Sequence, residues 1–492
     1  MRISPVWFAS LLVVGFLAVG CDASSSGATA SSPVELEIVQ GAGVDLVAGE
    51  KIELELEGVS ASEVDWTSSD TNVATITQDG LVTAHAAGSS TMTASLRSDP
   101  GETASIVITV GLRTFATISA GGEHSLALDE VGNAWAWGNN EVFQLGDGGT
   151  GTNQADPERV VMPDGVTFTT IAAGEHHSVA LDDDGNPWAW GQDDVGQLGN
   201  GEPNTNKNTP VRVTMPDRVT FTTIAAGNDH TLAIDESGAA WAWGENGLGQ
   251  LGTGDSGIPI GEPHNIRVSP VSVVMPTGVR FTALGAGQSH SVALDEDGNA
   301  WTWGDNGASQ LGNGEAGWSE ATPTPVVMPD GVTFSKISVG TVHSLALDED
   351  GNAWAWGSDF SGQLGDGGTN ADQATPVPVV MPDGTRFTAI YAGGFHSLAL
   401  DQDGNAWTWG DNGMCQLGIN ESTQKPPVTT PTPVAVPDGV RFTSIYAGGY
   451  HSLALDEDGN LWAWGSDYSG QLGDGGVIEN SVWCVPAQVE KP

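Results

Sequence analysis

Basic residues are scarce. The chain has 15 lysines and arginines against 62 aspartates and glutamates in 492 residues, a formal charge of −47. A field of that sign repels DNA, RNA and anionic lipid headgroups at ordinary salt, so nucleic acid is excluded as an expected partner. The acidity itself reads as solubility rather than as a cation site. Long apolar runs are also missing: Val6–Val19 is almost wholly apolar but too short to span a bilayer comfortably as a mature helix. No nucleophile elbow, phosphate-binding glycine loop, zinc-ligand spacing or catalytic dyad is present, so no catalytic, cofactor-binding or metal residue is assigned. Cysteine is limited to Cys21, Cys415 and Cys484. What the chain does have is 68 glycines and 39% hydrophobic content, enough for two or three domains with substantial cores.

The N-terminus reads as an export signal over residues 1–20, with Arg2, the apolar run, and Leu17-Ala-Val-Gly20 leading into Cys21. Residues 21–32, rich in Ser, Ala and Gly, cannot bury a core and are expected to form a flexible tether. The Leu-Ala-Val-Gly-Cys stretch resembles the lipobox of bacterial lipoproteins, although Ala18 stands where that family most often has leucine. The resemblance implies that Cys21 is lipidated and becomes the first mature residue. The protein would then sit in the bacterial cell envelope, lipid-anchored or secreted, and meet the membrane only through its anchor.

Residues 33–111 change character. Alternating runs such as Lys51-Ile-Glu-Leu-Glu-Leu-Glu57 and Ser105-Ile-Val-Ile-Thr-Val110, separated by Gly, Asp and Ser turns, predict a small antiparallel sandwich. Val64-Asp-Trp-Thr-Ser-Ser-Asp70, Val73-Ala-Thr-Ile76, Gly80-Leu-Val-Thr-Ala84 and Gly88-Ser-Ser-Thr-Met-Thr-Ala94 resemble the bacterial immunoglobulin-like domain of intimin- and invasin-type surface proteins. That resemblance implies a spacer module with Trp66 in its core.

Residues 112–492 are dominated by a repeat. His124, His177, His230, His290, His343, His396 and His451 are spaced by 53, 53, 60, 53, 53 and 55 residues. Each is followed eleven residues later by Trp-x-Trp-Gly, and then by Gln-Leu-Gly. A period of that length signals a propeller blade or a solenoid coil. Period-two runs bounded by Gly, Asn-Gly-like and Pro-Asp-Gly turns give four short strands per unit, which is the make-up of a β-propeller blade. The fold class is therefore all-β.

The motifs Gly-x-x-His-Ser-Leu-Ala-Leu-Asp, Trp-x-Trp-Gly and Gly-Gln-Leu-Gly closely resemble the regulator of chromosome condensation repeat, over about three quarters of the chain. The resemblance implies a seven-bladed propeller. The family's founding member binds chromatin and promotes nucleotide exchange on a small GTPase, activities that suit an exported acidic chain poorly. Bacterial relatives are secreted or tethered binding proteins. The fold leaves the ligand open.

What recurs seven times is expected to be scaffold. Each repeat histidine is expected to hydrogen-bond locally and fix a turn, and the paired tryptophans to pack. Acidic turns such as Asp295-Glu-Asp-Gly-Asn299 and Asp348-Glu-Asp-Gly-Asn352 lack the EF-hand spacing and read as hairpin turns. The carboxylates as a whole look almost evenly distributed around the ring, which favours turn chemistry, whereas an enzyme would confine a charged constellation to one or two blades. Cys415, after the third strand of repeat six, and Cys484, just before the fourth strand of repeat seven, would lie at the same end of neighbouring blades, where a disulfide is geometrically allowed.

Strand alternation places the first-to-second and third-to-fourth connections at one end of the ring. That end carries nearly all the variation between repeats, including Phe143, Leu248, Trp318, Phe360, Phe395, Met414, Tyr450, Tyr468 and Trp483. These form the expected partner-binding face, since aromatic and Met side chains bring large contact area at modest entropic cost. The expected function is a monomeric, non-enzymatic binding protein for a protein or glycan at the cell envelope. An enzyme acting on extracellular polysaccharide and a guanine-nucleotide-exchange-like regulator are the alternatives.

Overall fold

The computed structural model describes residues 36–40, 43–47, 50–111, 114–202, 204–257, 265–368, 370–421, 426–476 and 481–489. The export segment, Cys21 and the tether lie outside the described residues. The chain divides into two compact units, Met1–Gly111 and Leu112–Pro492.

In the first unit, one sheet has the order β1 (Gly43–Val47), β7 (Asp99–Gly111), β6 (Gly88–Leu96), β3 (Val64–Ser68). The other has β2 (Lys51–Glu53), β5 (Leu81–Ala84), β4 (Ala74–Ile76). Alternation does its expected work in β7, where Ile106, Ile108 and Val110 face the core beside Val64, Trp66 and Met92. Two details differ from a purely antiparallel sandwich. β1 runs parallel to β7, from Gly43 opposite Val107 to Val47 opposite Gly111. It enters at the sheet edge and crosses to the other sheet at β2, so no hairpin ties it to its neighbour. The run after Lys51 stays a strand only to Glu53, and Leu56 then makes an isolated bridge to Ile38.

The second unit is seven four-stranded antiparallel sheets, each built from four consecutive strands. Blade 1 runs from Phe115–Ala120 through His124–Asp129 and Ala134–Gly138 to Gln154–Arg159. Blade 7 runs from Phe442–Ala447 through His451–Asp456 and Leu461–Ser466 to Val482–Gln488. The first strands are innermost and touch one another around the axis.

Seven apolar clusters join the blades. Between blades 2 and 3, Val179, Leu181, Leu198 and Val213 pack on Phe221, Ile224, Ala233 and Trp243. The ring closes through the equivalent cluster of Leu453, Leu455 and Leu472 with Phe115, Ala127 and Trp137. The second strand is enclosed on both faces, which explains its sequence: its large residues face the next blade and its alanines receive the previous blade's leucines.

The repeat signature is thus mostly a set of contacts with the next blade. The second tryptophan of each pair is fully buried. Trp243 Nε1 donates to the Gln197 carbonyl of blade 2 at 3.0 Å. The glycine ending each Gln-Leu-Gly lies against that indole: Gly199 has φ +66, and a Cβ there would stand 2.7 Å from Trp243 Cδ1. Trp243→Ala should therefore lower the unfolding free energy by about 3–5 kcal/mol in a urea titration. A change below about 1 kcal/mol would mean the interface closes over the cavity.

Candidate partner-binding face

The repeat histidines are scaffold, but not through the local bond expected from the sequence. His124 Nε2 meets Ser178 Oγ of the next blade at 3.0 Å, His177 meets Thr231 at 3.0 Å, and the chain continues round to His451 and Ser125 at 2.9 Å. Each contact runs from one blade to the next, so the seven form a closed circle. The serine or threonine hydroxyl in turn donates to the preceding blade's glutamine carbonyl, as Ser178 does to Gln144 at 2.8 Å. The hydroxyl hydrogen being used there, Nε2 must be the protonated nitrogen that donates to it. The imidazoles are buried, and burial pushes His177, His290, His343, His396 and His451 down to about 3 and His230 to about 4. They are neutral struts.

The hairpin turns at the other end are also structural. Asp182 Oδ1 accepts from the backbone of Asp184 and Asn186, and Oδ2 from Trp188 Nε1 at 3.0 Å. Burial pushes this carboxyl up, but the bonds from Trp188 and Asn186 outweigh it and hold the group below its ordinary value. Among the described residues no cluster of His, Cys, Asp or Glu is arranged to hold a metal ion.

The antiparallel order puts all nine variable aromatic and apolar positions in or beside the connections of a single end. They are not equally available. Trp318 and Phe360 are 77% and 79% exposed, and Leu248, Tyr450 and Tyr468 are about 40% exposed. Phe143, Phe395, Met414 and Trp483 are only half-exposed or less. Phe143 leans on its own loop, where a Cβ on Gly151 would be 3.3 Å from its ring. Trp483 packs on the cluster that closes the ring. Cys415 and Cys484 are joined in a disulfide, and Cys484 lies inside the last strand, not before it, because that strand begins at Val482.

The loops carrying the exposed rings are clamped. In each third-to-fourth connection an Asn or Asp side chain accepts the backbone N–H of the Gln-Leu-Gly leucine: Asn140 from Leu145 at 3.1 Å, Asp359 from Leu364 at 3.0 Å, Asp467 from Leu472 at 3.0 Å. The glutamine adds a second bond, as Gln363 Oε1 does from Ser361 N at 2.8 Å. Phe360 and Tyr468 directly follow two of these aspartates, so their loops are held before any partner arrives.

Sequence reasoning missed a second feature of this end. Between the axial glycine and the histidine stand two residues that differ from blade to blade. They are Gly122-Glu123, Glu175-His176 and Asn228-Asp229 in blades 1–3, then Gln288-Ser289, Thr341-Val342, Gly394-Phe395 and Gly449-Tyr450. At these two positions, beside the axial channel that Glu175 lines, the carboxylates are gathered on three adjacent blades, a local exception to the even distribution expected around the ring. Aligning the seven repeats at these two positions would have revealed it. Burial pushes Glu175 up, Glu123 and Asp229 adding to the effect against His176; burial raises Asp229 too, with His176 opposing and Asp194 adding.

Comparison with known proteins decides the family. The RCC1-like domain matches residues 257–492, and the regulator of chromosome condensation (RCC1) repeat matches 131–181 and 184–234. The chain belongs to the RCC1 repeat family. It is 31% identical over 325 residues to the RCC1 domain-containing protein RUG3, mitochondrial, of Arabidopsis thaliana, covering 65% of this chain and 69% of the relative. It is 29% identical over 375 residues to the ultraviolet-B receptor UVR8 of the same plant, covering 76% and 82%. Its fold matches yeast RCC1 (Prp20), solved bound to Kap60, with TM-score 0.63 at 24% identity, covering 77% and 85%. Residues 30–105 match the bacterial Ig-like domain (group 2).

Proposed function

We propose that this RCC1-family propeller is a non-enzymatic protein-binding head, presented outside the cytoplasm on a lipid-anchored or secreted chain. One observation carries the binding assignment: Phe360 and Tyr468 stand exposed at one end of the ring on loops clamped by their own side-chain bonds, with Trp318 and Tyr450 exposed at the same end. Exposed rings on a rigid frame are what binding hot spots are made of. The extracytoplasmic placement is supported by the apolar run ending at Cys21, by the Ig-like match ahead of the propeller and by the Cys415–Cys484 bond. The non-enzymatic reading is supported by the role of the repeat histidines and turn aspartates in holding the blades together.

The test is capture of a partner from envelope extract with the full chain, followed by titration of the purified pair. Alanine at Phe360, Tyr450 and Tyr468 together should weaken binding at least about a hundredfold, roughly 3 kcal/mol, while the unfolding temperature changes little. Unchanged affinity, or loss produced instead by charge reversal at Asp297, Asp350 and Asp458 of the opposite end, would move the binding site there.

A further inference from the structure

The loop end is divided by chemistry. Blades 1–3 hold Glu175, which lines the axial channel, with Glu123 and Asp229 within electrostatic reach of it, and Phe360, Tyr450 and Tyr468 stand on blades 5 and 7. Glu123 accepts from Asn139 Nδ2 and Ser469 Oγ, each at 3.1 Å, and Asp229 from Gln197 Nε2 at 3.5 Å. Glu175 lies over the backbone of blade 1, where a Cβ on Gly122 would be 2.6 Å from its carboxyl carbon. Among the described residues no lysine or arginine bonds any of the three. The basic residues described at this end are Lys207 and Arg267, both at the start of outer strands and both already paired, with Glu202 at 3.4 Å and Asp255 at 2.7 Å. Arg159, Arg212, Arg218, Arg280, Arg386 and Arg441 all belong to the opposite end. Among the described residues the face therefore offers partly desolvated negative charge bonded to no lysine or arginine and faced only by the imidazole of His176, on the same end as the exposed rings.

Resting on the reading of this end as the binding face, we infer that its partner is a cationic, amphipathic protein segment, with lysine or arginine side chains over Glu123, Glu175 and Asp229 and apolar side chains against Phe360, Tyr450 and Tyr468. Complementary charge is what would compensate the desolvation of these carboxylates when a partner covers them, and an uncharged glycan offers no such compensation. Rings on separate blades call for several apolar side chains in a row, which a polypeptide supplies. An aromatic face also attracts a cation directly.

The probe is a short lysine–leucine peptide bound to the full chain, with a glutamate–leucine peptide of the same length as its counterpart, followed by fluorescence anisotropy. The lysine peptide should bind, and its affinity should fall steeply as salt is raised. The variant E123Q/E175Q/D229N should bind it at least about tenfold more weakly. The variant D297N/D350N/D458N removes as much charge from the opposite end and should stay within about twofold of the parent. Equal losses in the two variants would reduce the effect to the overall charge and overturn the inference. If the glutamate peptide bound as tightly, and F360A/Y468A abolished that binding, the face would stand as a binding site and its cationic partner would not. Binding of an uncharged oligosaccharide at these rings, with none of the lysine peptide, would overturn it in favour of a glycan. Should the triple variant fail to fold, E175Q alone should still weaken the lysine peptide more than D350N does, and equal losses in those two single variants would overturn the inference.

Discussion

Acidifying the protein from about pH 7 to about pH 5 is expected to unfold the propeller cooperatively, because seven buried imidazoles must stay neutral for the ring to hold. His124 is held well below its ordinary value of 6.5, and the other six sit at about 3 or 4, in each case chiefly through burial. A histidine with a depressed folded pKa takes its proton more readily in the unfolded chain. Its contribution is complete above pH 6.5 and is lost as pH falls towards 3. At pH 5 each neutral histidine costs about 2 kcal/mol, so seven together reach on the order of 10 kcal/mol, comparable with the net stability of a whole domain.

Six carboxyls raised by burial pull the other way, Glu158, Glu175 and Asp229 among them. Burial raises Asp193 to about 7, and Asp359 and Asp467 to about 6, so their stabilising effect is present in acid and fades as pH rises through those values. These partly buried carboxyls do not offset seven fully buried imidazoles, and the depressed turn aspartates add a further loss below about pH 4. Tryptophan fluorescence should show one transition with a midpoint between about pH 6 and about pH 4. Replacing His343 by Asn, which can still reach towards Ser397 without titrating, should move that midpoint to lower pH. A propeller intact at pH 4 would rule the mechanism out.

The architecture was legible because a ring makes every blade repeat the same contacts. The Trp-x-Trp-Gly and Gln-Leu-Gly motifs, seven times over, mark four strands, a tight turn and a close approach, and all three occur in each blade. Trp66 likewise announced the core of the first unit and is 3% exposed. What could not be read was which blade a residue serves. His124 looked local because its neighbours in sequence are a turn, yet its partner Ser178 is 54 residues away. The parallel pairing of β1 with β7 was hidden for the same reason: alternation fixes which face a residue occupies but not the strand beside it. For the binding end, ring type was visible but depth was not, and Phe143 and Trp483 turned inward while Phe360 did not. The carboxylates at Glu123, Glu175 and Asp229 were concealed by the many acidic turns of the opposite end.

Breaking the Cys415–Cys484 bond should lower the unfolding free energy by about 4 kcal/mol, since the bond closes 69 residues and links blade 6 to blade 7. Its position follows from the repeat. The residue before Gln-Leu-Gly adopts a left-handed backbone and presses on the outer strand of the next blade. In blades 2, 3, 5 and 7 it is glycine: Gly196 lies against Val268, Gly249 against Ala321, Gly362 against Thr429 and Gly470 against Ala155. In blade 6 it is Cys415, at φ 62, and the strand it meets carries Cys484, with the two Cα atoms 4.5 Å apart. A covalent bond thus stands where other blades have a glycine contact, and it holds a side chain in a backbone region that disfavours one. Urea titrations should therefore order three proteins. The parent is most stable, C415S/C484S is about 4 kcal/mol lower, and C415G/C484S recovers about 1 kcal/mol of that loss by restoring glycine where φ is positive. A reductant should lower the parent's midpoint and leave both variants unmoved. An identical midpoint for the parent with and without reductant would show that the bond contributes nothing to the closed ring.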